Sequence, residues 1–281
     1  LDWYVDSHAH ASTAGLGYEA VVREFRRSGG RLIALVGLTP SSYGLETSLD
    51  GVLKSIDIHL QLCGKVREEF GGVLCLAGVH PATVDRLARS SRSLDALYVD
   101  LVERVLKYLE RCVREGLADG LGEFGRPHYP ATPESIALSE VLTVKAMELA
   151  RDYSLPIHIH SESSGRVTSE SLKILARYAR LSLERVLVHH VPPTQAPTYI
   201  SEGFYVSVVG RSEVLSNLGS RCERVLVESD YLDDPRRPGA VMYPWDIPRE
   251  VGEAVSRGTL TPDCAREMLQ RSPLRYYGVE L

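Results

Sequence analysis

The sequence predicts an α/β fold: a single (β/α)8 barrel domain over residues 1–281. Three observations carry this. Apolar runs alternate with polar loops and amphipathic stretches about eight times along the chain. The length of 281 residues is that of one such barrel. The apolar runs repeatedly end in histidine or a carboxylate, as they would if their C-terminal ends ringed one mouth. An open doubly wound sheet is the alternative. It would place a glycine-rich phosphate turn after the first strand, and Ala11-Ser12-Thr13-Ala14-Gly15 does not match that pattern.

The elements follow in order. Trp3, Tyr4 and Val5 open a strand that runs into Asp6-Ser7-His8-Ala9-His10. Residues two apart on a strand share a face, so His8 and His10 aim at one place. A helix over Tyr18–Arg27 stops at Ser28-Gly29-Gly30. Residues 31–37 form an unbroken apolar run, the pattern of a strand buried on both faces. A polar loop and a helix over Leu49–Phe70 lead to the strand 73–79, which ends in His80-Pro81.

A long amphipathic helix spans 94–115, with Leu97, Leu101, Val105 and Leu109 on one stripe. The glycine-rich strand 117–124 carries Glu123, and the loop behind it carries Arg126, His128 and Tyr129. Thr132-Pro133 opens a helix with proline at its first position, running to about residue 153. The strand 155–160 ends in a second His-x-His, His158 and His160. A helix over 169–180 leads to the strand 185–190, which ends in His189-His190. A helix over 195–202, a strand over 203–209, a helix over 211–218 and a strand over 224–228 follow, the last leading to Ser229-Asp230. A Pro, Asp and Arg-rich loop over 231–245 precedes closing helices at 248–257 and 262–271.

Composition narrows the function. A net charge of −5 gives no support to bulk electrostatic binding of nucleic acid, though a local basic rim remains open. Arginine outnumbers lysine, which suits anion contacts or reflects genome composition or a thermophilic source. The five cysteines (Cys63, Cys75, Cys112, Cys222 and Cys264) are scattered and form no Cys-x-x-Cys, so they read as reduced thiols. No apolar run is long enough to cross a bilayer and no basic-then-apolar leader is present, which makes a cytoplasmic protein without membrane contact the expectation. Nothing in the sequence indicates a protein partner.

Gathered at one barrel mouth, the strand ends supply His8, His10, His80, Glu123, His160, His189 or His190, and Asp230. Imidazoles and carboxylates in this number suit a pair of divalent metal ions, with zinc, manganese, nickel and magnesium all compatible. Glu123 could bridge the two through its two oxygens. His8, His10 and Asp230 suit one ion; His160 and a sixth-strand histidine suit the other. Two ions about 3.5–4 Å apart would share and acidify a water and bind substrate oxygens. Asp230 could then take the proton of the attacking water.

These pieces resemble the TatD family of metal-dependent hydrolases, within the amidohydrolase-like barrels. The match lies in Asp6-Ser7-His8-Ala9-His10, Gly78-Val79-His80-Pro81, Gly122-Glu123-Phe124-Gly125, Pro156-Ile157-His158-Ile159-His160-Ser161, Val188-His189 and Glu228-Ser229-Asp230, in the family's order and over nearly the whole chain. The resemblance implies a two-metal phosphodiesterase, often a deoxyribonuclease. It implies metal ligands His8, His10, Glu123, His160, His189 and Asp230, with Glu123 and Asp230 catalytic and His80 on the substrate phosphate.

The chain departs from the family pattern in three places. Ser161-Glu162 stands where the family has a loop arginine. Arg126, in the altered segment Phe124-Gly125-Arg126-Pro127-His128-Tyr129, is expected to restore a substrate-binding cation. His190-Val191-Pro192-Pro193 replaces an aromatic and a glycine. The metal core therefore transfers better than the DNA substrate.

Several residues keep two readings. His158 faces the same side as His160, as a ligand or, preferably, in barrel packing. His189 and His190 are expected on opposite faces of their strand, so that one alone is a ligand. His128 touches substrate or solvent. Arg236 and Arg237 grip a phosphate or pair with Asp233 and Asp234. His59 reads as structural. Two other functions remain open: an amidohydrolase or lactonase, which commonly bridges its metals with a carbamylated lysine that strand four lacks, and a non-catalytic metal-binding scaffold.

Overall fold

The structure is a computed structural model that describes residues 2–219 and 221–280. Its eight strands are β1 (Tyr4–Ala9), β2 (Gly30–Val36), β3 (Val73–Ala77), β4 (Gly120–Gly125), β5 (Ile157–His160), β6 (Val186–Val188), β7 (Tyr205–Val209) and β8 (Val225–Glu228). They pair in parallel and in sequence order within one sheet. The sheet comes round on itself where the Asp230 amide donates to the His8 carbonyl (3.0 Å) and the His10 amide to the Tyr231 carbonyl (2.8 Å). This is the expected (β/α)8 barrel.

The apolar runs have the physical cause assigned to them. Along β2, Ile33 and Leu35 face outward into the layer shared with the helices. Leu32, Ala34 and Val36 face the barrel interior with Val5, Leu76, Leu187 and Leu226. Both faces are buried, so no polar alternation is needed. The interior is sealed from the N-terminal end of the strands by Tyr276 and Tyr277. The Tyr276 hydroxyl reaches the carbonyls of Ile157 (3.0 Å) and Arg185 (3.3 Å), at the starts of β5 and β6.

The connecting helices are α1 (Tyr18–Arg27), α2 (Leu49–Phe70), α3 (Pro81–Ser90), α4 (Leu94–Asp100), α5 (Lys107–Arg114), α6 (Pro133–Asp152), α7 (Arg166–Ala179), α8 (Ala196–Glu202), α9 (Ser212–Leu215), α10 (Ile247–Ser256), α11 (Pro262–Arg266) and α12 (Ser272–Tyr277). α3 has no counterpart among the helices expected from the sequence. Its start is encoded by Pro81 at the first position and by the His80 ring, whose Nδ1 accepts the Ala82 amide (3.0 Å). The expected helix over 94–115 is α4 and α5 joined through a π-helical stretch, Leu101–Leu106. The last expected helix likewise runs on through a π turn into α12.

The cysteine expectation is corrected. Cys63 on α2 is disulfide-bonded to Cys75 on β3, and Cys222 to Cys264 at the start of α11; Cys112 is free and buried. Each bond joins neighbours made adjacent by packing, with Cα separations of 5.9 and 5.3 Å that suit the link, and sequence spacing alone does not reveal this. Among the described residues no helix is long and apolar enough to cross a membrane.

Candidate metal centre

Strand geometry delivers the strand-end residues to one place. Glu123, on β4, is buried at the centre. Its Oε1 lies 2.7 Å from His189 Nε2, 3.1 Å from His8 Nε2 and 3.7 Å from His160 Nδ1, and its Oε2 lies 3.2 Å from His80 Nε2. His8 Nε2 and His10 Nε2 are 3.2 Å apart, and Asp230 Oδ1 is 3.7 Å from the latter. The six sequence-predicted ligands His8, His10, Glu123, His160, His189 and Asp230 thus meet in one cluster, with His80 beside Glu123. Four overlapping groups, His8–His10–Asp230, His8–Glu123–His189, His80–Glu123–His160 and His128–His160–His190, each bring three ligand atoms within 4.8 Å of one another among the described residues.

Hydrogen bonding decides how two of the rings can act. His10 Nδ1 faces the Val36 carbonyl at 2.9 Å, an acceptor only, so this nitrogen holds the proton and Nε2 is left with a lone pair. His80 Nδ1 accepts the Ala82 amide, so the neutral ring holds its proton on Nε2. That N–H points at Glu123 as a donor; His80 is not set up as a ligand.

The electrostatics are those of a cation site. Burial pushes His10 and His190 down to about 4 and His80 to about 3, and holds His158 and His189 well below the ordinary histidine range. These rings are neutral at pH 7. Burial opposes the charge on Glu123, yet the imidazoles of His189 and His80 outweigh it and hold the carboxyl well below its usual range. Burial would lower His8, but Glu123, Glu228 and Asp230 bring it up to about 9. Burial raises Asp230 to about 6 and Glu228 to about 8. Imidazole nitrogens that approach within about 3 Å of one another around a carboxylate fit a divalent metal by their donor chemistry.

A cleft of about 770 Å³ opens above the cluster, lined by His10, His80, Glu123, His128, His160 and Asp230 among others, with Arg86, Arg236 and Arg237 at its rim. Arg236 and Arg237 are exposed and both pair with Asp234. Asp233 does other work: it accepts the amides of Ser12 (3.0 Å), Leu16 (2.6 Å) and Gly17 (2.9 Å), tying the loop after β1 to the loop after β8.

Two expectations need correction. His189 and His190 do not face opposite sides. β6 ends at Val188, so strand alternation no longer applies, and His190 takes φ 45°, which turns its ring to within 3.3 Å of His160 Nδ1. Arg126 does not reach the cleft. Its guanidinium is buried and spent on Glu162 (3.0 and 2.7 Å), Glu140 (2.9 Å) and Ser171 (2.6 Å). Glu162, which stands where the family has a loop arginine, is the partner of this one.

The ambiguous histidines also resolve in space. His128 Nδ1 lies 2.5 Å from His160 Nε2, at the cleft. His158 is buried below His8, Nδ1 to Nδ1 at 2.9 Å. His59 bonds the Tyr18 hydroxyl at 2.7 Å, away from the cluster.

Sequence reasoning missed the supports. Asp6 accepts the amides of His8 (3.3 Å) and Ser229 (2.9 Å), joining β1 to the end of β8. Glu228 accepts the His190 amide (2.7 Å) and the Ser207 hydroxyl (2.5 Å). The available signal was their period: Asp6, His8 and His10, like Glu228 and Asp230, are spaced by two. Gly125, at φ 126°, lets the Arg126 amide bond the His160 carbonyl (2.9 Å); a Cβ there would sit 1.9 Å from that oxygen.

The sequence profile of the family described as TatD related DNase matches residues 5–278. An uncharacterized protein of Methanocaldococcus jannaschii is 28% identical over 280 residues, covering 98% of this chain and 96% of its own. The fold resembles a TatD homologue of Escherichia coli K12 (TM-score 0.64, 15% identity, 99% and 98% of the two chains). It also resembles a phosphotriesterase homology protein of Escherichia coli, solved with phosphate in its active site (TM-score 0.60, 16% identity, 98% and 99%).

Proposed function

The chain belongs to the TatD related DNase family, and from that premise we propose that residues 1–281 form one metal-dependent phosphodiesterase domain acting on DNA or a related diester. The observation that carries this is the position of Glu123, whose two oxygens are ringed by His8, His80, His160 and His189 beneath an open cleft. In this reading His8, His10, Glu123 and Asp230 would hold one divalent ion, and Glu123, His160 and His189 would hold a second. Such ions supply Lewis acidity and bring the pKa of a bound water toward neutrality.

The chain's own groups do the rest. Asp230 is a fifth exposed and opens on the cleft, where its Oδ1 can take the proton of an attacking water. The His80 Nε2–H is fixed as a donor and suits a non-bridging phosphate oxygen. Arg86, Arg236 and Arg237 supply positive charge at a rim that is otherwise part of an acidic protein.

The test is a substrate panel on protein reloaded separately with zinc, manganese, nickel and magnesium: single- and double-stranded DNA, RNA, a small phosphodiester, a phosphotriester, an amide and a lactone. Diester cleavage lost on chelation and on Asp230→Asn is the expected result. Turnover confined to amides or lactones, or to the triester, moves the chain to another reaction. No turnover of any member, with ions bound, leaves the scaffold reading.

A further inference from the structure

Behind the first-strand ligands lies a buried hydrogen-bond chain that the proposed reaction does not use. The Tyr277 hydroxyl, from α12, lies 2.7 Å from the Ser7 carbonyl and 3.1 Å from His158 Nε2. His158 Nδ1 lies 2.9 Å from His8 Nδ1. All three side chains are buried.

The protons in this chain have one consistent arrangement. The Ser7 carbonyl can only accept, so the single hydroxyl proton of Tyr277 goes to it. The hydroxyl oxygen is then an acceptor toward His158, whose Nε2 must carry the ring proton. A neutral His158 protonated on Nε2 offers a lone pair at Nδ1. That lone pair faces His8 Nδ1, which must therefore be the N–H donor. His8 is left with Nε2 for the other side, where Glu123 Oε1 (3.1 Å) and His10 Nε2 (3.2 Å) stand. His10 reaches the same state by a shorter route, through the Val36 carbonyl.

We infer that Tyr277 and His158 are positioning residues that hold the proton of His8 on Nδ1, so that Nε2 is the nitrogen it presents to an ion, beside that of His10. The two nitrogens stand 3.2 Å apart, so one ion can lie against both. The chain of hydrogen bonds thus settles which nitrogen of His8 faces an ion. The C-terminal helix α12, which seals the opposite end of the barrel, is by this route coupled to the ligand set. Gly122 makes the packing possible, because a Cβ there would come within 3.0 Å of His158 Cβ. The inference rests on the metal-dependent reading of the site, but the proton arrangement itself can be measured without any ion.

The experiment is 15N NMR of histidine-labelled protein, metal-free and zinc-loaded, with zinc affinity measured on variants. The expected pattern is His158 protonated at Nε2 alone and His8 protonated at Nδ1 in both forms. His158→Phe, which removes the acceptor, should weaken zinc binding by about 10–100-fold. His158→Asn, whose Oδ1 can stand where Nδ1 was, should stay near the wild-type affinity. Tyr277→Phe should give His158 signals of both tautomers. A His158 protonated at Nδ1 in the wild type overturns the inference, and so does full zinc affinity in His158→Phe. If the variants fail to fold, the wild-type spectrum alone decides. If the wild type takes up no ion, the functional reading fails while the spectrum still judges the hydrogen-bond chain.

Discussion

Arg126→Gln separates two roles for one cation. The Arg126 side chain is 8% exposed and makes a two-pronged contact with Glu162 plus single contacts to Glu140 and Ser171. Its removal leaves two carboxylates without a counter-charge. Breaking a fully buried pair costs about 3–5 kcal/mol, but Glu162 and Glu140 are about a third exposed and water partly replaces the lost partner. We therefore expect a loss of about 2 kcal/mol. For a chain of this length the entropy of unfolding is about 0.6 kcal/mol per degree, so Tm falls by about 3–4 °C. The companion Glu162→Gln, combined with Arg126→Gln, should recover part of that loss in a double-mutant cycle read by thermal unfolding. KM for a phosphodiester should change by no more than about twofold. An unchanged Tm with KM raised tenfold would refute the reasoning and return the guanidinium to the substrate.

Three further outcomes follow from the geometry. Gly125→Ala must displace the His160 carbonyl, which would lie 1.9 Å from the new Cβ, so zinc affinity should fall at least tenfold and Tm by several degrees; unchanged values in both measurements contradict the placement of His160. Reducing both disulfides should lower Tm by about 10 °C, since closing loops of 12 and 42 residues is worth about 3 and 4 kcal/mol; a scan with and without reductant checks it. Metal binding should release a proton at pH 7. His8 is held up to about 9 in the metal-free fold, so an ion must displace its proton, and affinity should rise by up to tenfold per pH unit toward pH 9 and then level. Calorimetry in buffers of different ionisation enthalpy reads the proton directly.

What the sequence discloses is what strand periodicity carries. His8 and His10 share a face because they are two apart, and Glu123, His160 and Asp230 lie at the ends of apolar runs. That is enough to predict the barrel and the cluster. What it hides depends on where regular structure stops. His190 could be placed opposite His189 only while β6 was assumed to continue; the strand ends at Val188, and a left-handed residue turns the ring inward. The role of Arg126 depends on Glu140 and Glu162, which come from α6 and the loop after β5 and meet it only in the fold. The disulfides and the Tyr277–His158 contact likewise join segments whose proximity no local pattern records. α3 was legible in principle, from Pro81 after a capping His80.

In the proposed site Glu123 would contribute to both of two cations held by the strand-end histidines. Counting bound ions per chain after loading with zinc, in the wild type and in Glu123→Gln, tests it most directly. The account predicts two ions in the wild type and at most one in the variant, with diester cleavage lost alongside. A wild type that binds none, or a Glu123→Gln protein that keeps the full complement, would contradict it.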